Sequence, residues 1–244
     1  MGILGITNRT ENWKTAEFFA PFFEYDSART RLAKRLLEPL GKSHEVQPCT
    51  VKIELFWYGM RDYVDLQRKQ REPEPTPETL AESYLPLFSD PNKLDLCRQI
   101  NEIDKHDTLT DRNYNVSNRD WKEKLWTNLN NTEIDVIVKT PNHLFIGEAK
   151  HETTAFDADK NRFLMHQLIR EYVMASTLID CLESDKEVVP FVVGNEPDKI
   201  KEPHPNLKHI HQIGFLRDVG WLKEENVLSW DCIDEIAKST PTAN

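Results

Sequence analysis

Apolar residues recur at helical spacing from Asn12 to Leu40, where Phe18, Phe19, Phe22 and Phe23 form one face and Leu32, Leu36, Leu37 and Leu40 continue it. This periodicity predicts helical structure that stops at Pro39 and Gly41. From Val51 to Tyr58 the pattern shortens to the alternation of a strand. Helical spacing returns over Glu78 to Phe88 and Asn92 to Asp104, and a polar, irregular stretch follows from Asp107 to Asp120. Two strands come next: Thr132 to Val138, rich in β-branched residues, and His143 to Lys150. Lys139-Thr140-Pro141-Asn142 between them makes a hairpin with a four-residue loop. Beyond it, Asp159 to Leu182 reads as a long helix, Glu187 to Val193 as a strand and His209 to Phe215 as a further one.

The hairpin gathers acids on one face. Side chains two apart share a face of a strand, which groups Glu133, Asp135 and Ile137 on the first strand and Ile146, Glu148 and Lys150 on the second. Pairing Val138 with His143 sets Asp135 opposite Ile146 and Glu133 opposite Glu148. Asp135 and Glu148 are then diagonal neighbours roughly 7–8 Å apart, within reach of one shared ion. Unpaired charges at the end of a buried hairpin each cost several kcal/mol, on the order of 3–5, and a divalent cation removes that cost. Mg²⁺ prefers carboxylate oxygens, with Mn²⁺ able to substitute, so Asp135 and Glu148 are the candidate ligands. Lys150 cannot ligate while charged. Its ammonium can orient a water and offset negative charge.

Composition narrows the classes. The 244 residues correspond to about 1.6 domains at ~150 residues each, one elaborated domain or a core with an appendage. Lys and Arg total 31 against 41 Asp and Glu, a net charge of −10 that argues against a protein coating nucleic acid by bulk charge. Any attraction for an anion must be local, and two basic clusters exist: Arg29, Arg31, Lys34 and Arg35, then Arg61, Arg68, Lys69 and Arg71. Solvated helix faces are the plainer account of both, phosphate contacts the functional one. Cys49, Cys97, Cys181 and Cys232 form no CxxC pair, which fits reduced structural thiols. With no export signal and no spanning segment visible, the expected location is cytoplasmic, with no membrane partner.

Asp135, a twelve-residue spacer and then Glu148-Ala149-Lys150 closing an apolar strand resemble the PD-(D/E)XK nuclease superfamily, with Ile134 replacing the usual proline before the aspartate. Asp120-Trp121-Lys122 has the same acid-x-lysine form but no apolar strand ahead of it. The resemblance covers roughly residues 121–194. It implies an α/β (mixed α+β) fold: a restriction-endonuclease-like core over residues 106–244 with a central mixed sheet flanked by helices. Residues 1–105 are then a mainly helical elaboration or small domain, carrying a proline-rich loop at 72–79. It also implies a Mg²⁺-dependent nuclease, with DNA as substrate and endonucleolytic cleavage, in which Asp135 and Glu148 hold the metal and Lys150 assists the attacking water. The alternative is a catalytically inactive nucleic-acid-binding or assembly protein on the same scaffold.

Further members of the site are sought around this triad. Glu133 shares its face, and Gln167 and Arg170 point together from the following helix. RecB-like members of the superfamily carry QxxxY on that helix, whereas here Gln167 and Tyr172 are five positions apart, about 140° around the axis. Glu102 and Glu123 are both open as the glutamate that the superfamily often takes from a helix preceding the sheet. The N-terminal region is the expected surface for a homodimer or protein partner.

Overall fold

The computed structural model describes residues 10–77, 79–80, 126–151, 167–195 and 222–239. Among them the first helical stretch divides in two, α1 (Thr10–Glu24) and α2 (Asp26–Leu37), with Tyr25 extended between them. A 3₁₀ turn over Glu38–Leu40 then ends at Gly41, whose φ of 70° is the left-handed conformation glycine adopts freely. β1 (Lys52–Trp57) and α3 (Gly59–Gln70) follow. The hairpin is β2 (Ile134–Lys139) and β3 (His143–Lys150), and after it come α4 (Gln167–Cys181), β4 (Glu187–Gly194), β5 (Val227–Ser229) and α5 (Trp230–Lys238).

The chain is thus mixed α/β, with one five-stranded sheet in the order β1-β2-β3-β4-β5 among the described residues. β1, β2 and β3 pair antiparallel, and β4 and β5 add on in parallel. Strand alternation assigns the two faces. Val136, Val138, Phe145, Ala149, Val189, Phe191 and Val193 meet Phe19, Phe22, Leu32, Leu36, Leu37, Trp230 and Ile233 in one core under α1, α2 and α5. The opposite face carries Asp135, Ile137, Ile146, Glu148 and Lys150, and there α4 crosses β3 and β4 with α3 against it.

Several expectations change. The hairpin register is shifted by two residues, since Ile137 pairs with Ile146 and Val136 with Gly147. The ladder runs on to Thr140, whose N–H donates to the His143 carbonyl (3.0 Å) while its hydroxyl accepts from the His143 N–H (2.9 Å). Only Pro141 and Asn142 form the tip, so the loop has two residues rather than four. A slip of two keeps every side chain on its face, and the acids still meet. The residues after Gly194 contribute β5 and α5, which the periodicity did not announce; Ser229 caps α5 by accepting from the Cys232 N–H (3.0 Å).

Residues 19–57 take part in the same sheet and core as the hairpin. β1 is a strand of the common sheet, and residues 19–53 share the apolar cluster with residues 136–237. The boundary near residue 105, the helix expected at Asn92 to Asp104, all but residues 79–80 of the one expected at Glu78 to Phe88, the strand at His209 to Phe215, Cys97, Glu102, Glu123 and the Asp120-Trp121-Lys122 triplet lie outside the described residues.

The first basic cluster serves the fold. Arg29 donates to the carbonyls of Phe22 and Phe23 at the end of α1, and Arg31 to those of Ile236 and Ala237 at the end of α5. Arg35 reaches the Glu225 carbonyl. Helix C-termini present unpaired carbonyls and partial negative charge, which a guanidinium satisfies on both counts.

One glycine fixes the sheet beneath the acids. A Cβ on Gly147 would lie 2.2 Å from Cζ of Phe191, its fully buried partner on β4. Gly147→Ala must therefore push a core ring out of place, and overpacking of this kind costs about 1–3 kcal/mol. Denaturant unfolding of the variant checks it, and a stability within about 0.5 kcal/mol of the parent, the usual range for a harmless surface change, counts against this packing.

Candidate active site

The acids are brought together by two adjacent strands. Asp135 is half-buried on β2, and its Oδ2 accepts the backbone N–H of Ala149 on β3 at 3.0 Å. Glu148 and Lys150 flank that residue, 2% and 7% exposed. Nζ of Lys150 lies 2.6 Å from Oε1 of Glu148 and donates to Oε1 of Gln167 at 3.1 Å. Gln167 thus joins the cluster from the first turn of α4, as the sequence suggested.

The other layer holds the strand end rigid. Nε1 of Trp230 donates to the Lys150 carbonyl at 3.1 Å, and the same indole stacks on His151 with ring centroids 3.9 Å apart. Thr15 on α1 meets Nε2 of His151 at 3.2 Å, and Asn195 donates to the His151 carbonyl. Backbone on both sides of the lysine is therefore anchored, which keeps a short ion pair in place.

Sequence reasoning missed the next member. Glu171 on α4 is 1% exposed, and its carboxylate lies against that of Glu148. Neither Glu171 oxygen, nor Oε2 of Glu148, meets a hydrogen-bond donor among the described residues. The signal was present: four residues from Gln167 is one helical turn, so Glu171, not Tyr172, shares its face. Tyr172 is hydrogen-bonded to Ser176 instead. Arg170 is buried on the same helix, and Glu133 is near enough to act on Asp135 electrostatically; neither is placed in the Lys150 cluster by a bond described above.

The electrostatics follow from crowding. Burial, then the charge of Glu148, pushes the Asp135 carboxyl well above its ordinary value, against the pull of the Ala149 N–H and Lys150. Burial also pushes Glu171 well above the carboxylate range, reinforced by Glu148 and Asp135. For Lys150, burial alone would favour the neutral amine, but Glu148, Asp135 and Glu171 outweigh it, and the pKa is raised. The ammonium stays charged.

This donor set suits a hard divalent cation. When all three carboxyls are ionised, as metal ligands must be, they and the Lys150 ammonium sum to −2, and carboxylate oxygens without donors among the described residues are what Mg²⁺ and Mn²⁺ accept as ligands. Among the described residues no three His, Cys, Asp or Glu side chains are spaced to enclose an ion as they stand, and Oε1 of Glu148 is taken by the Lys150 ammonium.

No helix among the described residues is long and apolar enough to cross a membrane. Compared with protein-family models, with curated proteins and with solved structures, the chain matches none.

Proposed function

We propose that the chain is a metal-dependent nuclease of the PD-(D/E)XK type, hydrolysing phosphodiester bonds in DNA. One observation carries this reading: Asp135, Glu148 and Lys150 converge from two paired strands on one buried face, where carboxylate oxygens lack donors among the described residues. The element order supports a restriction-endonuclease-like core, since helices are followed by three antiparallel strands, with α3 inserted between β1 and β2, and then by a helix and a parallel fourth strand. Exposed Arg61, Lys69 and Arg71 belong to α3 and its C-cap, and α3 packs against α4, so positive surface lies on the helix next to the one that carries Gln167 and Glu171.

Asp135 and Glu148 would hold the ion. When bound, Mg²⁺ supplies Lewis acidity at a phosphate oxygen and lowers the pKa of water. The rest belongs to the chain. The Ala149 N–H holds one oxygen of the Asp135 carboxylate and would leave the other to act as a ligand. Lys150, kept charged by its acid neighbours and aimed by Gln167, orients the attacking water and offsets negative charge developing at phosphorus. Burial of these groups strengthens each interaction relative to water.

Incubation of the protein with single- and double-stranded DNA and with RNA, in Mg²⁺, Mn²⁺ or chelator, tests the proposal. Expected is metal-dependent DNA cleavage that chelator abolishes and Asp135→Asn reduces by at least about 10²-fold. Nucleic-acid binding without cleavage under every metal condition would instead favour a catalytically silent binding or assembly protein, for which a direct Lys150–Glu148 ion pair is also suitable.

A further inference from the structure

Glu171 stands apart from the other buried acids. Asp135 has the Ala149 N–H and Glu148 has the Lys150 ammonium, but among the described residues neither oxygen of Glu171 meets an N–H or hydroxyl donor, and its carboxyl is bonded to that of Glu148, a contact that needs a proton held between two acids. It comes from a different element, α4, on the helical turn that also delivers Gln167 to Lys150. A glutamate with a merely structural role in this position would be expected to find a donor, as buried polar groups nearly always do.

We propose that Glu171 is a third carboxylate ligand of the metal centre, so that the ion bridges the sheet and α4. This rests on the nuclease reading above and deepens it by adding a residue the D/E-x-K pattern does not contain. Charge favours the arrangement. Asp135 and Glu148 with Lys150 carry a net charge of −1, which a divalent ion would overshoot; including Glu171 makes it −2, which the ion balances. The ion would also give the oxygens of Glu148 and Glu171 that meet no donor among the described residues one common partner, and it would tie the end of β3 to α4, the helix from which Gln167 meets the lysine.

The full-length protein, titrated with Mn²⁺ alone by calorimetry and by the electron paramagnetic resonance signal of free Mn²⁺, tests this without reference to activity. Parent, Asp135→Asn, Glu171→Gln and Glu171→Asp proteins are compared, with thermal melts in chelator and in Mn²⁺ establishing that each is folded. Expected is Mn²⁺ binding by the parent, loss in Asp135→Asn, and at least about 10–100-fold weaker binding in Glu171→Gln, with a smaller metal-induced rise in melting temperature. Glu171→Asp, which withdraws the carboxylate by one methylene, is also expected to bind more weakly and stands in if the glutamine variant does not fold. Unchanged Mn²⁺ affinity in the Glu171 variants, with loss in Asp135→Asn, overturns the role of Glu171 and leaves the two-carboxylate centre standing. Absence of binding by the parent overturns the metal centre itself, and this inference with it.

Discussion

Replacing Lys150 with alanine is expected to lower metal-dependent DNA cleavage by about 10²–10⁴-fold, the range for losing a group that positions a proton transfer or stabilises developing charge. The reason lies in how the lysine is held. Its ammonium touches Glu148 and Gln167, its carbonyl is bonded by Trp230, and its acid neighbours keep it charged. A surface lysine would be neither fixed nor so strongly biased. The same substitution removes the ammonium 2.6 Å from Glu148, and breaking a buried pair by deleting one partner costs about 3–5 kcal/mol. In chelator the variant should therefore melt well below the parent. Mn²⁺ should restore much of that loss, because the ion compensates the carboxylates in the lysine's place, but it should not restore cleavage. That division separates a chemical role from a structural one. Full cleavage by a metal-saturated Lys150→Ala protein would remove Lys150 from the mechanism.

The hairpin was legible because two local signals agreed: β-branched residues alternate on both sides, and Pro141-Asn142 breaks the chain between them. Its register was not, since the extra pair at Thr140 and His143 depends on a hydroxyl accepting a backbone N–H, a choice that alternation cannot see. Face survived the error because side-chain direction repeats every two residues. Glu171 was concealed differently. A helix pattern reports which residues share a side, and Gln167 did point to Glu171, but an acid beside Arg170 on a mostly apolar helix reads equally well as a rim residue until β3 supplies Glu148 opposite it.

The basic cluster on α2 shows the limit most plainly. Arg31 and Arg35 find their acceptors 205 and 190 residues away along the chain, and no local pattern distinguishes such capping from a phosphate-binding face. β5 has three residues, too few for alternation to register. Ser229 before Trp230 and Ile233 was the available cue for α5, an N-cap followed by apolar residues at helical spacing.

Without metal, the fold is expected to lose stability as pH rises from about 5 toward neutrality, opposite to the usual acid denaturation of proteins with paired carboxylates. Asp135 and Glu171 are held protonated in the folded state above the ordinary carboxylate range, first by burial and then by the charge of Glu148. In the unfolded chain both ionise near their usual values, ~4. Between those values and the raised folded ones, the folded state binds more protons, so deprotonation favours unfolding by about 1.4 kcal/mol per pH unit for each group. The loss begins above the unfolded pKa and continues until the folded carboxyls ionise. Lys150 does not offset it: its raised pKa contributes stability that is fully present below its unfolded value and fades only in alkali. Denaturant unfolding in chelator across pH 5–8 measures the slope, and comparison with Asp135→Asn and Glu171→Gln isolates these groups from exposed carboxylates, each variant being expected to flatten it by about one proton's worth. Saturating Mn²⁺ should flatten the parent as well, since the ion then occupies the carboxylates that protons held. A parent slope in chelator that matches both variants would mean that these carboxyls are not protonated in the fold, and the crowding of Asp135, Glu148 and Glu171 would have to be relieved by some other cation.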